Sequence, residues 1–188
     1  LEKLSKFGVK IGYPAKWRDY SALQIREGDL AGNVERAGKF EWAYDVNRIG
    51  KAVDKGEWGM TPQTVNAYYS SVKNEIVFPA GILQPPFFWA DGDDAVNYGG
   101  IGVVIGHEMT HGFDDRGRQY DALGNLRDWW TPEDGERFQA RARLVERQFS
   151  GYIAVDSTRV NGKLTLGGNI ADLGGVMIAY QALQHSLA

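Results

Sequence analysis

Three features of the sequence predict an α+β fold. Four stretches carry apolar residues in helical order, and two short runs between residues 65 and 78 are rich in Val, Ile, Tyr and Phe, as strands are. Glycine is the third: 24 of 188 residues, against an average of about 7%, calls for many tight turns and close backbone approaches. The length suits one domain with a sizeable core, so residues 1–188 are expected to form a single domain.

The first 32 residues alternate short apolar groups with Gly, Pro and charge, which predicts short strands or irregular chain anchored by Trp17 and Tyr20. Val34, Ala37, Phe40 and Tyr44 then recur at spacings of three and four, predicting a helix over residues 33–53 capped by Asn33 and ended by the glycines after Lys55. Residues 65–69 and 75–78 read as two strands around a short connection. Pro79, Pro85 and Pro86 interrupt the next apolar run, so residues 82–89 are expected as an irregular wall.

Asp91, Asp93 and Asp94 precede a helix predicted over residues 95–113, since acidic groups suit its amide-rich end. That helix holds Gly99, Gly100, Gly102 and Gly106, each costing up to about 1 kcal/mol relative to Ala, and tight packing is the reason to keep them. Residues 118–130 read as a loop turning at Leu123-Gly124-Asn125. Thr131 and Pro132 open a further helix whose buried stripe is Phe138, Ala142, Val145 and Phe149. A turn at Asn161-Gly162 leads to a last helix over residues 166–183.

The formal net charge is -3 with both signs interspersed. Arg137, Arg141, Arg143 and Arg147 alternate with Glu133, Glu136 and Glu146, the pattern of a solvated helix face, so nucleic-acid binding is not expected. No run approaches the roughly 20 apolar residues of a membrane span, and no membrane contact is expected from this segment. With no Cys in the chain, metal ligands are limited to His, Asp, Glu, backbone or water.

Two of the three His stand in His107-Glu108-Met109-Thr110-His111, within the predicted helix. Imidazoles four residues apart project from one face, so one metal ion can bridge them, and the intervening Glu108 lies where a carboxylate can take a proton from water. A structural role for the His pair would not call for Glu at that position, whereas metal-assisted hydrolysis does. Asp114, three residues beyond His111, can accept that imidazole's distal N–H and fix its tautomer; a plain helix-terminal carboxylate is the alternative.

Residues His107 to Asp115, HEMTHGFDD, resemble the active-site segment of the neprilysin family of zinc endopeptidases, which includes endothelin-converting enzymes and bacterial oligopeptidases. Asn66-Ala67-Tyr68-Tyr69, the segment from Phe78 to Phe88 and Asn169-Ile170-Ala171-Asp172-Leu173-Gly174-Gly175 resemble the same family in the same order. The resemblance implies a zincin-like catalytic domain with a small mixed sheet and several packed helices, one zinc ion and a peptide substrate. It implies His107 and His111 as zinc ligands, Glu108 as general base, and Asp172 as the support of a zinc-bound His. Asn66 and the Ala67 backbone would hold substrate beside an edge strand.

In that family a Glu directly before the asparagine of the last segment completes the zinc site; here the residue is Gly168, so the third-ligand position is altered. A catalytic zinc site normally has three protein ligands and one exchangeable position. The resemblance therefore implies weak zinc binding and weak or lost hydrolysis, or a catalytically inactive peptide-binding or structural remnant. It extends over the central part of a catalytic lobe only, which implies an incomplete domain with uncovered apolar surface around Phe87, Phe88, Trp89 or the last helix, and so a possible homo-oligomer.

Overall fold

A computed structural model describes all 188 residues, and the chain divides into two compact units, Leu1–Tyr13 with Trp58–Ala188, and Pro14–Glu57. The fold is α+β.

The smaller unit is built on helix α2, Leu30–Val46. Its start lies earlier than the sequence predicts, because Asp29 takes the capping place and accepts the Gly32 amide at 3.0 Å. Asn33 instead folds back on Arg26, exchanging two hydrogen bonds with its backbone. The helix stops at Val46, and the chain turns through Gly50 at φ 76°. Arg18 stacks over Tyr20, Phe40 and Tyr44 and pairs with Glu41 at 2.9 Å. Of the two predicted anchors, Tyr20 packs on Phe40 and under Arg18 but is half exposed, and Trp17 is more exposed still.

The larger unit begins with a one-turn helix α1, Glu2–Ser5, and strand β1, Gly8–Gly12. Strands β2, Tyr68–Ser70, and β3, Glu75–Pro79, complete a three-stranded sheet in the order β1-β3-β2. β3 pairs parallel with β1 and antiparallel with β2, so the sheet is mixed and β2 is an edge. The predicted strand at 65–69 is shortened at its start, because the ladder with β3 begins only at Tyr68 opposite Val77. Every residue of β3 is buried, and Ile76 and Phe78 join Ala67, Ile82 and Ile101 in the core.

The helix predicted over 95–113 is three segments: α3, Asp94–Asn97, a π-helical turn Tyr98–Gly102, and α4, Val103–His111. Its widened turn has a local cause. The Ile101 amide leaves the helix ladder and donates to the Phe87 carbonyl at 2.7 Å, and Gly100 backs onto that same carbonyl. Asp93 caps α3 through the Ala95 amide. The proline-rich wall packs Phe87 and Phe88 against the core and leaves Trp89 exposed.

Helix α5, Pro132–Ser150, is capped by Thr131; of its predicted stripe Ala142 is buried, while Phe138, Val145 and Phe149 are only partly buried. An exposed hairpin follows, β4, Ile153–Val155, and β5, Thr158–Arg159, turning through Asp156 at φ 51°. The sequence reading missed it, because its residues have no buried face to impose alternation. Helix α6, Leu166–Ser186, then packs along α4. The crossing is made by glycines: a Cβ on Gly106 would lie 2.9 Å from the Gly175 backbone, and one on Gly175 would lie 2.6 Å from the Val103 carbonyl. Of the four glycines preceding His107, Gly100 and Gly106 have such close neighbours, while Gly99 faces open space. No helix is long and apolar enough to cross a membrane.

Candidate metal centre

α4 presents both imidazoles on one side, with ring centroids 4.5 Å apart and planes at 87°. The ligand atoms of His107, Glu108 and His111 lie within 4.8 Å of one another, and no other group of three His or acidic residues in the chain is arranged to hold a metal ion. A cleft of about 460 Å³ opens over them, walled by Asn66, Ala67, Tyr68 and Tyr69 from the sheet side and by Gly167 and Gly168 from α6.

Each imidazole is held from behind by a carboxylate. His107 Nδ1 lies 2.7 Å from Asp172 Oδ1, and His111 Nδ1 lies 2.6 Å from Asp114 Oδ2. With Nδ1 carrying the shared proton, the Nε2 lone pairs are the ones left for a metal. Asp172 reaches His107 only because the α4–α6 crossing is glycine-close. Asp114 sits in a tight reversal after α4, where its Oδ1 accepts the amides of Arg116 at 2.9 Å and Gly117 at 2.7 Å. Gly117 is required there, since a Cβ would collide with the His111 carbonyl.

Electrostatics follow from burial and these partners. Burial raises the pKa of Glu108 above the usual carboxylate range, while His111, His107 and a hydrogen bond from the Tyr69 backbone pull the other way. For Asp114, burial acts against the carboxylate, but the His111 bond and the two backbone amides outweigh it and lower its pKa. Burial likewise opposes the charged form of His111, yet the bond and charge of Asp114 leave its pKa raised.

The donor set fits a zinc ion at two positions, both imidazole nitrogens with their carboxylate supports. Gly168, where the sequence reading looks for a third ligand, lines the cleft without a side chain, and a Cβ built there would meet no atom within 4 Å. Asn66 and Ala67 line the cleft and are engaged with each other, the Asn66 side-chain oxygen accepting the Ala67 amide at 2.9 Å.

Sequence reasoning missed Lys3, Asn74 and Asp121, all buried. Lys3 looks like any charged residue of a short amphipathic turn, and no local pattern marks it. Asn74 had a faint signal in the short connection between strands, where it takes φ 51°. Asp121 collects the Leu123 and Asn125 amides, the habit of an Asp that opens a turn.

Comparison with known proteins follows the same lines. The family model for Peptidase family M13 matches residues 66–188. Endothelin-converting enzyme 1 of Mus musculus is 51% identical over 191 residues, covering 98% of this chain and 25% of that protein. Neprilysin-3 of Drosophila melanogaster is 44% identical over 193 residues, covering 99% and 24%. Among solved structures, the zinc metalloprotease Zmp1 of Mycobacterium tuberculosis in complex with inhibitor superposes with a TM-score of 0.95 at 52% identity, over all of this chain and 29% of that one. The chain thus spans about a quarter of the length of the curated relatives it matches.

Proposed function

Because this chain belongs to peptidase family M13, a family of zinc-dependent peptidases, we propose that it carries the metal centre and general base of a peptide-bond hydrolase, with the third metal ligand missing at Gly168. The observation that carries this reading is the convergence of His107, Glu108 and His111 within 4.8 Å, each His backed by its own carboxylate. A structural His pair has no need of two aligned carboxylates and an intervening buried Glu.

A zinc ion at this position supplies a Lewis acid that polarises a peptide carbonyl and makes water a stronger acid. His107 and His111 would hold it through the nitrogens left free, while Asp172 and Asp114, on the two Nδ1 atoms, fix the orientation of the rings. Glu108, beside them, takes the proton of the attacking water and returns it to the departing amine. Its raised pKa serves the first half of that task, since a weaker acid has a more basic conjugate carboxylate. An extended peptide would lie along the free edge of β2, its backbone replacing the Asn66 side chain on the Ala67 amide.

The missing oxygen at position 168 limits metal affinity, and a second reading rests on it: a peptide-binding or structural remnant that no longer turns over. One experiment separates the two. Zinc is titrated into the chain and into Gly168→Glu, and both are assayed with a peptide library. The proposal expects zinc affinity to rise by at least about 10 to 100-fold in Gly168→Glu, by analogy with the loss of a supporting partner, with cleavage appearing or increasing and vanishing in Gly168→Glu/Glu108→Gln. Equal, tight zinc binding by both chains would show another ligand in that place. Peptide binding without cleavage at saturating zinc in both would favour the remnant.

A further inference from the structure

Lys3 is among the largest fully buried side chains of the protein. Its Nζ donates to the carbonyls of Gly112 at 2.6 Å, Gly117 at 2.7 Å and Tyr120 at 2.8 Å, which uses all three N–H groups of an ammonium. The rings of Tyr69, Phe113 and Trp129 surround it, with centroids 5.6–5.9 Å away. The Lys3 backbone is fixed in turn, because Asn74 Nδ2 donates to its carbonyl at 3.1 Å and Tyr69 holds the Asn74 oxygen.

Filling this space needs only a long apolar side chain, and burying a cation is costly unless each donor is used. What the ammonium adds is the choice of acceptors. Gly112 directly follows His111 at the C-terminal end of α4, where helix carbonyls lack partners and a positive charge is favoured. Gly117 closes the reversal that begins there. Between them stands Asp114, whose Oδ1 takes the Arg116 and Gly117 amides while its Oδ2 holds His111. Lys3 thus ties both ends of the loop that aims Asp114 at a metal-binding imidazole, from a position more than a hundred residues earlier in the chain.

We propose that Lys3 is a positioning residue of the metal centre, its ammonium fixing the reversal from Gly112 to Gly117 and, through Asp114, the orientation of His111. The proposal rests on the reading of His107 and His111 as metal ligands. Removing the ammonium while keeping side-chain volume should loosen the metal site in a protein that stays folded.

The test compares Lys3→Met with Ile76→Ala, a core truncation in β3 that removes none of the three carbonyls bound by Lys3, in the chain itself and in Gly168→Glu. Three quantities are measured: zinc affinity by competition titration, the visible absorption bands of the cobalt(II)-loaded protein, and hydrogen exchange of amides 113–118 without metal. Lys3→Met is expected to weaken zinc by about 10 to 100-fold, shift the cobalt bands and speed exchange in 113–118. Ile76→Ala should do none of these at an equal fall in denaturation midpoint. Should Lys3→Met fail to fold, Lys3→Gln, with two N–H donors on a shorter stem, must show a smaller change of the same kind. Native exchange and native zinc affinity in either folded variant would overturn the proposal, as would an equal zinc loss in Ile76→Ala. If no variant binds zinc yet exchange in 113–118 still quickens, the metal reading fails and the hold of Lys3 on the reversal stands.

Discussion

A buried lysine whose pKa is lowered has a signature of its own. Burial brings the Lys3 pKa down to about 8, against the upward pull of Asp114 and Asp121, the two acids that face it, whereas an unfolded lysine titrates at about 10.4. Between those values the unfolded chain keeps a proton that the folded chain has released. Linkage then makes this group's contribution to stability rise with pH across about 8 to 10.4, with no slope from it below that window. Urea midpoints at pH 7.5, 8.5 and 9.5 should therefore move in favour of the native chain relative to Lys3→Met as pH rises. An unchanged difference would mean that Lys3 titrates like an exposed lysine.

Among elements, the α4–α6 crossing decides the site. α4 needs only its own sequence to align His107 and His111, since residues four apart share a helix face. It cannot by itself supply Asp172, which arrives on a neighbouring helix over a contact where a Cβ at Gly175 would lie 2.6 Å from the Val103 carbonyl and 2.9 Å from the His107 amide. Gly175→Ala should force the helices apart, lowering stability by about 1–3 kcal/mol as overpacking does and lengthening the His107–Asp172 bond. Denaturant unfolding, together with the His107 side-chain resonances, checks both; native stability with an unaltered His107 would show that the crossing has slack. The sequence indicated close packing near Gly106 but not the π-helical turn before it, because that turn depends on the Phe87 carbonyl arriving from the proline-rich wall.

Across the whole molecule, apolar surface remains uncovered. Leu173, Val176, Met177 and Tyr180 follow helical spacing on α6 and are each about half exposed or more, and Trp89 stands out from the wall. Self-association through such a face is expected, and sedimentation velocity over a hundredfold concentration range should show an average mass that climbs with concentration. A constant monomer mass would sink that expectation. The fold class, the order of the elements, the capping of α5 and the His-Glu-His arrangement were legible in the sequence, since each follows from periodicity or from chemistry within a few residues. The cap of α2, the split of the motif helix and the exposed hairpin were not, because Asp29 and Asn33 are equally plausible caps and an exposed strand leaves no apolar alternation. Tertiary structure alone brought Lys3 under α4, and it set Asp172, to which the family resemblance had pointed, behind His107 in space. Local spacing encodes which side chains share a face of one element, whereas contacts across a hundred residues depend on how the elements close against each other.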